Sequence, residues 1–163
     1  MDHTKIRTEM NLQTLYQRYL SSVYRAAYSF LHNSYDSEDA AQEAFLRLAR
    51  FRGTFTDERQ IKAWLIVTVT NISKDMLRRR HRRDADLGDC QELAAAPESG
   101  GEVLEAVRRL PDHYKTVVFL FYYEGYTVEE IAAALHRPEG TVKAWLHRAR
   151  RLLKQSLEVN DDV

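Results

Sequence analysis

The sequence predicts an all-α chain of two small helical domains joined by a flexible linker, and three observations lead there. Apolar residues recur at steps of three and four through most of the chain. No hairpin signal interrupts them. Residues 84–101 then break the pattern, carrying Gly88, Pro97, Gly100 and Gly101 among small Ala and Ser residues. The expected division is a first domain at 8–83, a linker at 84–101 and a second domain at 102–158.

The elements can be justified in order. Leu12, Leu15, Tyr16, Tyr19, Val23 and Ala27 form one stripe of a first amphipathic helix, and Ala40, Ala44, Phe45 and Leu48 form another after a turn at Asn33–Ser37. A third helix follows the loop Phe51–Asp57, with Ile61, Trp64, Leu65, Thr68, Ile72 and Met76 along one face, and runs into a basic cluster ending at Arg83. Val67–Val69 is locally β-prone, but the longer helical period overrides it. The second block opens with a helix over Glu102–Leu110, stopped by Pro111, and continues through Asp112–Glu124 to a break at Gly125. Thr127-Val128-Glu129-Glu130 has the capping-box pattern, in which the threonine caps the helix start and the glutamate three residues on reaches back to the threonine amide. That short helix ends near Leu135. Pro138 suits the first position of a longer one, whose Val142, Leu146, Ala149 and Leu153 bury one stripe. A short helix, a tight turn and a longer helix make a helix-turn-helix.

Composition bounds the function. With 163 residues, 44% of them hydrophobic, the chain can support packed cores. No apolar run approaches the roughly 18 residues of a membrane span, and charges interrupt Met1–Met10 where a signal peptide would be apolar, so a cytoplasmic protein is expected. The lone Cys90 can form no internal disulfide and has no ligand-spaced neighbours for zinc. The 24 basic and 24 acidic side chains cancel, but they are segregated. Cations crowd Lys74–Arg83 and Lys143–Lys154, and acids crowd Asp36–Glu43 and Glu158–Asp162. Such a dipolar chain suggests two kinds of partner.

Three groups of residues carry that suggestion. With Val142 and Leu146 turned inward, the last helix exposes Glu139, Lys143, Ala144, His147 and Arg148, where a recognition helix meets the major groove. A solvated basic helix is the plain alternative, against which the capping box, turn and second helix count together. On the third helix and the preceding Phe51–Gln60 segment, Phe51, Phe55, Arg59, Lys62, Lys74, Arg78 and Arg79 mix rings and cations, a combination suited to unstacked bases. Phe55 fits equally well as a core anchor, and Trp64 reads as core. Asp39, Gln42 and Glu43 share an exposed sector of the second helix, a polar docking face for a basic protein. Two other classes compete: an autonomous helix-turn-helix regulator, and a metal-dependent hydrolase or nuclease using Asp36, Glu38, Asp39 and Glu43. The second lacks any His or Gly-rich loop to complete its site.

These residues resemble the extracytoplasmic-function sigma factors. The resemblance rests on Asp-Ser-Glu-Asp-Ala-Ala-Gln-Glu-Ala-Phe at 36–45, on Lys62-Ala63-Trp64-Leu65 leading to Asn71 and then Asp75-Met76-Leu77-Arg78, and on Leu110-Pro111. It is completed by Gly140-Thr141-Val142-Lys143 followed by Arg148-Ala149-Arg150. In family order these cover nearly the whole chain. The resemblance implies a non-enzymatic factor without cofactor, metal or small-molecule substrate. Its first domain would be sigma region 2, docking on the clamp of core RNA polymerase through Asp39, Gln42 and Glu43. That domain would also open the minus-ten promoter element with the Phe51–Gln60 loop, Asn71 and the adjacent helix. Its second domain would be the winged-helix-like region 4, touching the polymerase flap and reading the minus-thirty-five element with Lys143, Ala144, His147 and Arg148. The linker would thread through the polymerase, and an anti-sigma factor would hold the protein inactive. This chain departs from the family at Trp145, where a basic residue is common, and at Ala144, where a small polar residue is frequent.

Overall fold

Caps decide where the first helices begin and end. Asn11 accepts the Thr14 amide at 2.8 Å and starts α1, Leu12–Leu31, which stops where His32 takes a left-handed conformation (φ 56°) and its amide donates to the Tyr28 carbonyl at 3.0 Å. Asn33 then accepts the Asp36 amide at 2.8 Å and opens α2, Ser34–Arg50. The expected Asn33–Ser37 turn is therefore only His32–Asn33, because the Asn33 cap lets the helix begin at once. In this computed structural model the described residues are 11–87 and 101–161. The stretch 8–10 of the expected first domain, the signal-peptide reading of Met1–Met10, Cys90 and most of the expected linker lie outside them.

The third helix, α3, spans Glu58–Leu87. It runs four residues beyond Arg83, into the segment read as linker, since Asp84-Ala85-Asp86-Leu87 contains no breaker before Gly88. Helices α1, α2 and α3 pack pairwise into a three-helix bundle. Because two helices cover α3, its buried sector is wider than the one stripe expected from sequence. Ile61, Ala63, Leu65, Ile66, Val69, Thr70, Ile72 and Ser73 are all buried, whereas Trp64, Thr68 and Met76 are half-buried. Leu12, read as part of the α1 core stripe, is 39% exposed at the helix start. Three hydroxyls buried in this bundle are satisfied locally. Ser37 donates to the Asn33 carbonyl, Thr70 to that of Val67 and Ser73 to that of Val69, at 2.6–2.8 Å. The β-prone stretch Val67–Val69 is helical.

A second compact unit holds the remaining helices. They are α4 (Gly101–Arg108), α5 (Asp112–Val118) continuing into a π-helical turn at Phe119–Tyr123, α6 (Val128–Leu135) and α7 (Glu139–Asp161). Helix α7 is the hub on which α4, α5 and α6 pack. Leu110, Val118 and Ala149 form part of that core, with Val107, Tyr114 and Leu153 against them. The π-turn ends at Gly125, whose φ of 75° suits a residue without a Cβ, and the Tyr126 amide then returns to the Leu120 carbonyl at 2.9 Å. Pro138 sits one position before the first residue of α7, and its carbonyl accepts the Thr141 and Val142 amides at 3.0 and 3.3 Å. That is the capping position, one residue earlier than expected for this proline.

Candidate nucleic-acid interface and docking face

The turn between α6 and α7 is built from local hydrogen bonds. The capping box is closed in both directions: the Glu130 amide donates to Thr127 Oγ1 at 3.1 Å, and the Thr127 amide donates to Glu130 Oε1 at 3.0 Å. At the other end of α6, His136 adopts φ 54°, the Arg137 amide donates to the Ala132 carbonyl at 3.0 Å, and the His136 amide donates to that of Ala133 at 3.4 Å. These two bonds are a Schellman motif, closed by histidine rather than glycine. The turn delivers α7 with Val142, Leu146 and Ala149 fully buried. At 100° per residue, Ala144, His147, Arg148 and Arg151 fall opposite that row, and Lys143 lies on its flank. Lys143, His147, Arg148 and Arg151 are exposed, and Ala144 is half-buried. Arg151 shares the outward stripe because it lies seven residues after Ala144. Trp145 is half-buried, its ring 5.0 Å from that of His113 in an edge-on arrangement. Part of its surface is thus committed to α5.

The residues expected to meet unstacked bases separate into two groups. On α3 the row Gln60, Trp64, Val67, Asn71, Lys74 and Arg78 lies opposite the buried sector. Asn71 and Arg78 are exposed, and Lys74 is half-buried with its ammonium 5.7 Å from the Phe30 ring centroid. Lys62 and Arg79 point to other sectors of the helix. The Lys62 ammonium lies 5.8 Å from the Tyr19 ring on α1. Phe51 packs 5.0 Å from Trp64 and 5.1 Å from Phe55. Phe55 is 3% exposed, which makes it the core anchor of the loop rather than a ring offered to a base, the second of its two readings. Arg59 is exposed in the first turn of α3. Gly53 is required where it stands, since an added Cβ would collide with the Phe51 ring.

On α2, Ala40, Ala41, Ala44 and Phe45 are buried and Asp39 and Gln42 are exposed; Glu43 is partly covered and pairs with Arg47 at 3.3 Å. Tyr35 and Leu46 complete the outward row Tyr35–Asp39–Gln42–Leu46, being 75% and 48% exposed. Sequence reasoning passed over them because it looked for charge, and the available signal was apolar character in the polar sector of an amphipathic helix. Asp36 is not free for a metal. Its Oδ2 accepts Asn33 Nδ2 at 3.0 Å and also pairs with Arg80 of α3. Among the described residues no three His, Cys, Asp or Glu side chains are grouped to hold a metal ion.

Against known proteins, residues 15–83 match the family model for Sigma-70 region 2, and residues 100–153 match that for Sigma-70, region 4. The ECF RNA polymerase sigma factor SigM of Mycobacterium tuberculosis is 33% identical over 147 residues, covering 88% of this chain and 75% of its own length. The chain belongs to the ECF sigma factor family. SigW of Bacillus subtilis, another ECF sigma factor, is 29% identical, covering 85% of this chain and 84% of its own length. Some further relatives are longer, and this chain spans about three fifths of them. The fold is shared with the sigma factor RpoE of Bartonella quintana, solved in complex with the anti-sigma factor NepR. That structure has a TM-score of 0.68 at 23% identity and covers 90% of this chain and 96% of that one. An ECF sigma factor directs RNA polymerase to promoters and is not itself an enzyme. With sigma regions matched in both halves, the autonomous regulator has no support. Among the described residues, no helix is long and apolar enough to cross a membrane.

Proposed function

We propose that this ECF sigma factor docks on core RNA polymerase through the outward face of α2 and divides promoter recognition between its two units. Asp39, Gln42 and Glu43 form the polar part of that face, for the clamp, with Tyr35 and Leu46 as apolar contacts. The loop at 51–57 and the α3 row of Asn71, Lys74 and Arg78 meet the melted minus-ten strand, with Phe51 tilted against Trp64 at its edge. Arg59, Lys62 and Arg79, on other sectors of the same helix, serve as phosphate contacts. Lys143, Ala144, His147 and Arg148 enter the major groove at the minus-thirty-five element, Arg151 follows along the groove backbone, and the second unit also meets the polymerase flap. The protein works in the cytoplasm.

The observation that carries this reading is the recognition helix: its outward row is basic and stands opposite the buried Val142–Leu146–Ala149 row. Duplex affinity scales with the phosphates neutralised, so patches this small on a chain of zero net charge bind weakly alone. Fixed together on a polymerase, they gain effective concentration from each other. An anti-sigma factor is part of the proposal. Tyr35 and Leu46 in the first unit, and Val103, Tyr122 and Tyr123 in the second, are large apolar groups left exposed for such a partner.

The test is run-off transcription with bacterial core polymerase on promoters of the native genome. Specific transcripts are expected with the protein and not without it. Asp39→Ala should abolish them through lost core affinity, and Arg148→Ala should cost about 1–3 kcal/mol of promoter discrimination while leaving core affinity intact. Failure to bind core polymerase, with tight binding to a palindromic duplex, would overturn the proposal.

A further inference from the structure

Glu58 is the first residue of α3, directly after the loop at 51–57. Its Oε1 accepts a hydrogen bond from Arg18 Nη1 at 2.7 Å and another from the Tyr19 hydroxyl, both donors standing in the middle of α1. Lys62, one turn further along α3, places its ammonium over the same Tyr19 ring. The donors hold the Glu58 carboxyl below its ordinary range, the Tyr19 bond contributing most and Arg18 next. Glu58 therefore stays charged and doubly bonded.

The loop rests on the same two turns of α3. At its far end the Thr56 amide and hydroxyl donate to Gln60 Oε1 at 2.6 and 3.0 Å, and the Gln60 amide donates back to Asp57 Oδ1 at 2.8 Å. At its near end Phe51 packs on Trp64. Whatever orients Glu58–Trp64 therefore orients the loop. With its side chains 54% and 31% exposed, the Arg18–Glu58 pair contributes little to folding, and the apolar interface of α1 and α3 holds those helices together without it. Its value is directional. It also covers a carboxylate that would otherwise stand beside Arg59 and Lys62 and repel incoming phosphate.

We infer that the Arg18–Tyr19–Glu58 link is a positioning device: it sets the loop at 51–57 for the unstacked promoter strand and neutralises Glu58, the acid within the first turn of α3. This rests on the loop's proposed role in minus-ten recognition.

The experiment uses holoenzyme assembled from core polymerase and the full chain. It measures affinity for a fluorescein-labelled single-stranded oligonucleotide carrying the minus-ten non-template strand of a promoter mapped by run-off. Glu58→Gln and Tyr19→Phe should each weaken oligonucleotide binding about fivefold with core affinity unchanged, as expected for one lost charge-assisted bond. The double variant should be no weaker than the weaker single, because both remove one link. Arg18→Glu with Glu58→Arg should recover most of what Glu58→Arg alone loses. Wild-type oligonucleotide affinity in Glu58→Gln and Tyr19→Phe, alongside a loss in Phe51→Ala, would overturn the link while leaving the loop's role standing. Unchanged binding in Phe51→Ala and Asn71→Ala as well would remove the loop's role and the inference with it. A loss of oligonucleotide affinity matched by an equal loss of core affinity would mean that the whole bundle had loosened, and would also overturn it.

Discussion

The two units hold their shape in different ways. In the region 2 bundle, polar side chains reach between helices far apart in sequence: Asp36 of α2 to Arg80 of α3, and Arg18 and Tyr19 of α1 to Glu58 of α3. In region 4 the links that define the helix-turn-helix span three to five residues: the Thr127–Glu130 box, the Schellman turn at His136 and the carbonyl of Pro138. Short-range links build a standard turn that presents α7. Long-range links set the relation of one helix to another, which matters where α2 and α3 are proposed to serve different partners.

The largest expected effect tests whether the units respond separately. Trp64 lies in the first and Trp145 in the second, so urea unfolding followed in single-tryptophan variants reports each. Leu65→Ala and Leu146→Ala both empty a fully buried site and should each cost about 2–5 kcal/mol. Leu65→Ala should shift the Trp64 transition, and Leu146→Ala that of Trp145. Equal shifts of both transitions by either variant would break the comparison.

Next comes the Asp36–Arg80 pair, with 25% and 35% of the two side chains exposed. Asp36→Arg sets two cations together and places one at a helix N-terminus, where the dipole disfavours it, for an expected loss of about 2 kcal/mol. Asp36→Arg with Arg80→Asp should regain about half, because the second change restores the pair but not the N-terminal acid. A double variant as unstable as the single would show that the pair does not join α2 to α3. Thr127→Ala in region 4 should cost about 1 kcal/mol, by removing one of the two bonds of the capping box. That loss should appear in the Trp145 transition.

The same contrast explains what could be read before the structure. The capping box, Pro111, Gly125 and the Val142–Leu146–Ala149 row are local patterns with local causes, so the helix-turn-helix and the exposure of Lys143, His147 and Arg148 were legible. The wide buried face of α3 was not, because two helices cover it and a single-stripe expectation places Trp64 and Met76 too deep. Nor was the use of Arg80 by Asp36 or of Arg18 by Glu58, since no sequence window contains both partners. The end of α3 was misplaced because the linker signalled by Gly88, Pro97, Gly100 and Gly101 was carried back to Asp84, although nothing in Asp84–Leu87 breaks the helix. Phe55 allowed two readings until its ring was seen buried against Phe51 and Trp64.

The smallest expected effect is a pH dependence in the first unit. The Tyr19 hydroxyl and then the Arg18 guanidinium hold the Glu58 carboxyl below its ordinary 4.5. Between that depressed value and about 4.5 the unfolded chain binds a proton that the folded chain does not, so stability rises with pH across this window. The Glu58 contribution is complete above it and disappears as the pH falls through the folded value. Tyr19 works in the opposite range: burial first, and then the bond to Glu58, push its hydroxyl above the ordinary 10.0. Its contribution is present below about pH 10 and declines as the pH climbs beyond it. The stability difference between wild type and Glu58→Gln, read from the Trp64 transition, should therefore be flat from about pH 8 to pH 5 and shrink towards pH 3. Because Arg18 is largely in solvent, added salt should reduce the same difference at neutral pH. A difference that stays constant down to pH 3 would show that the carboxylate charge is not what joins α1 to the start of α3. The Thr127–Glu130 box, with its shorter reach, would then be the better description of how both units are tied.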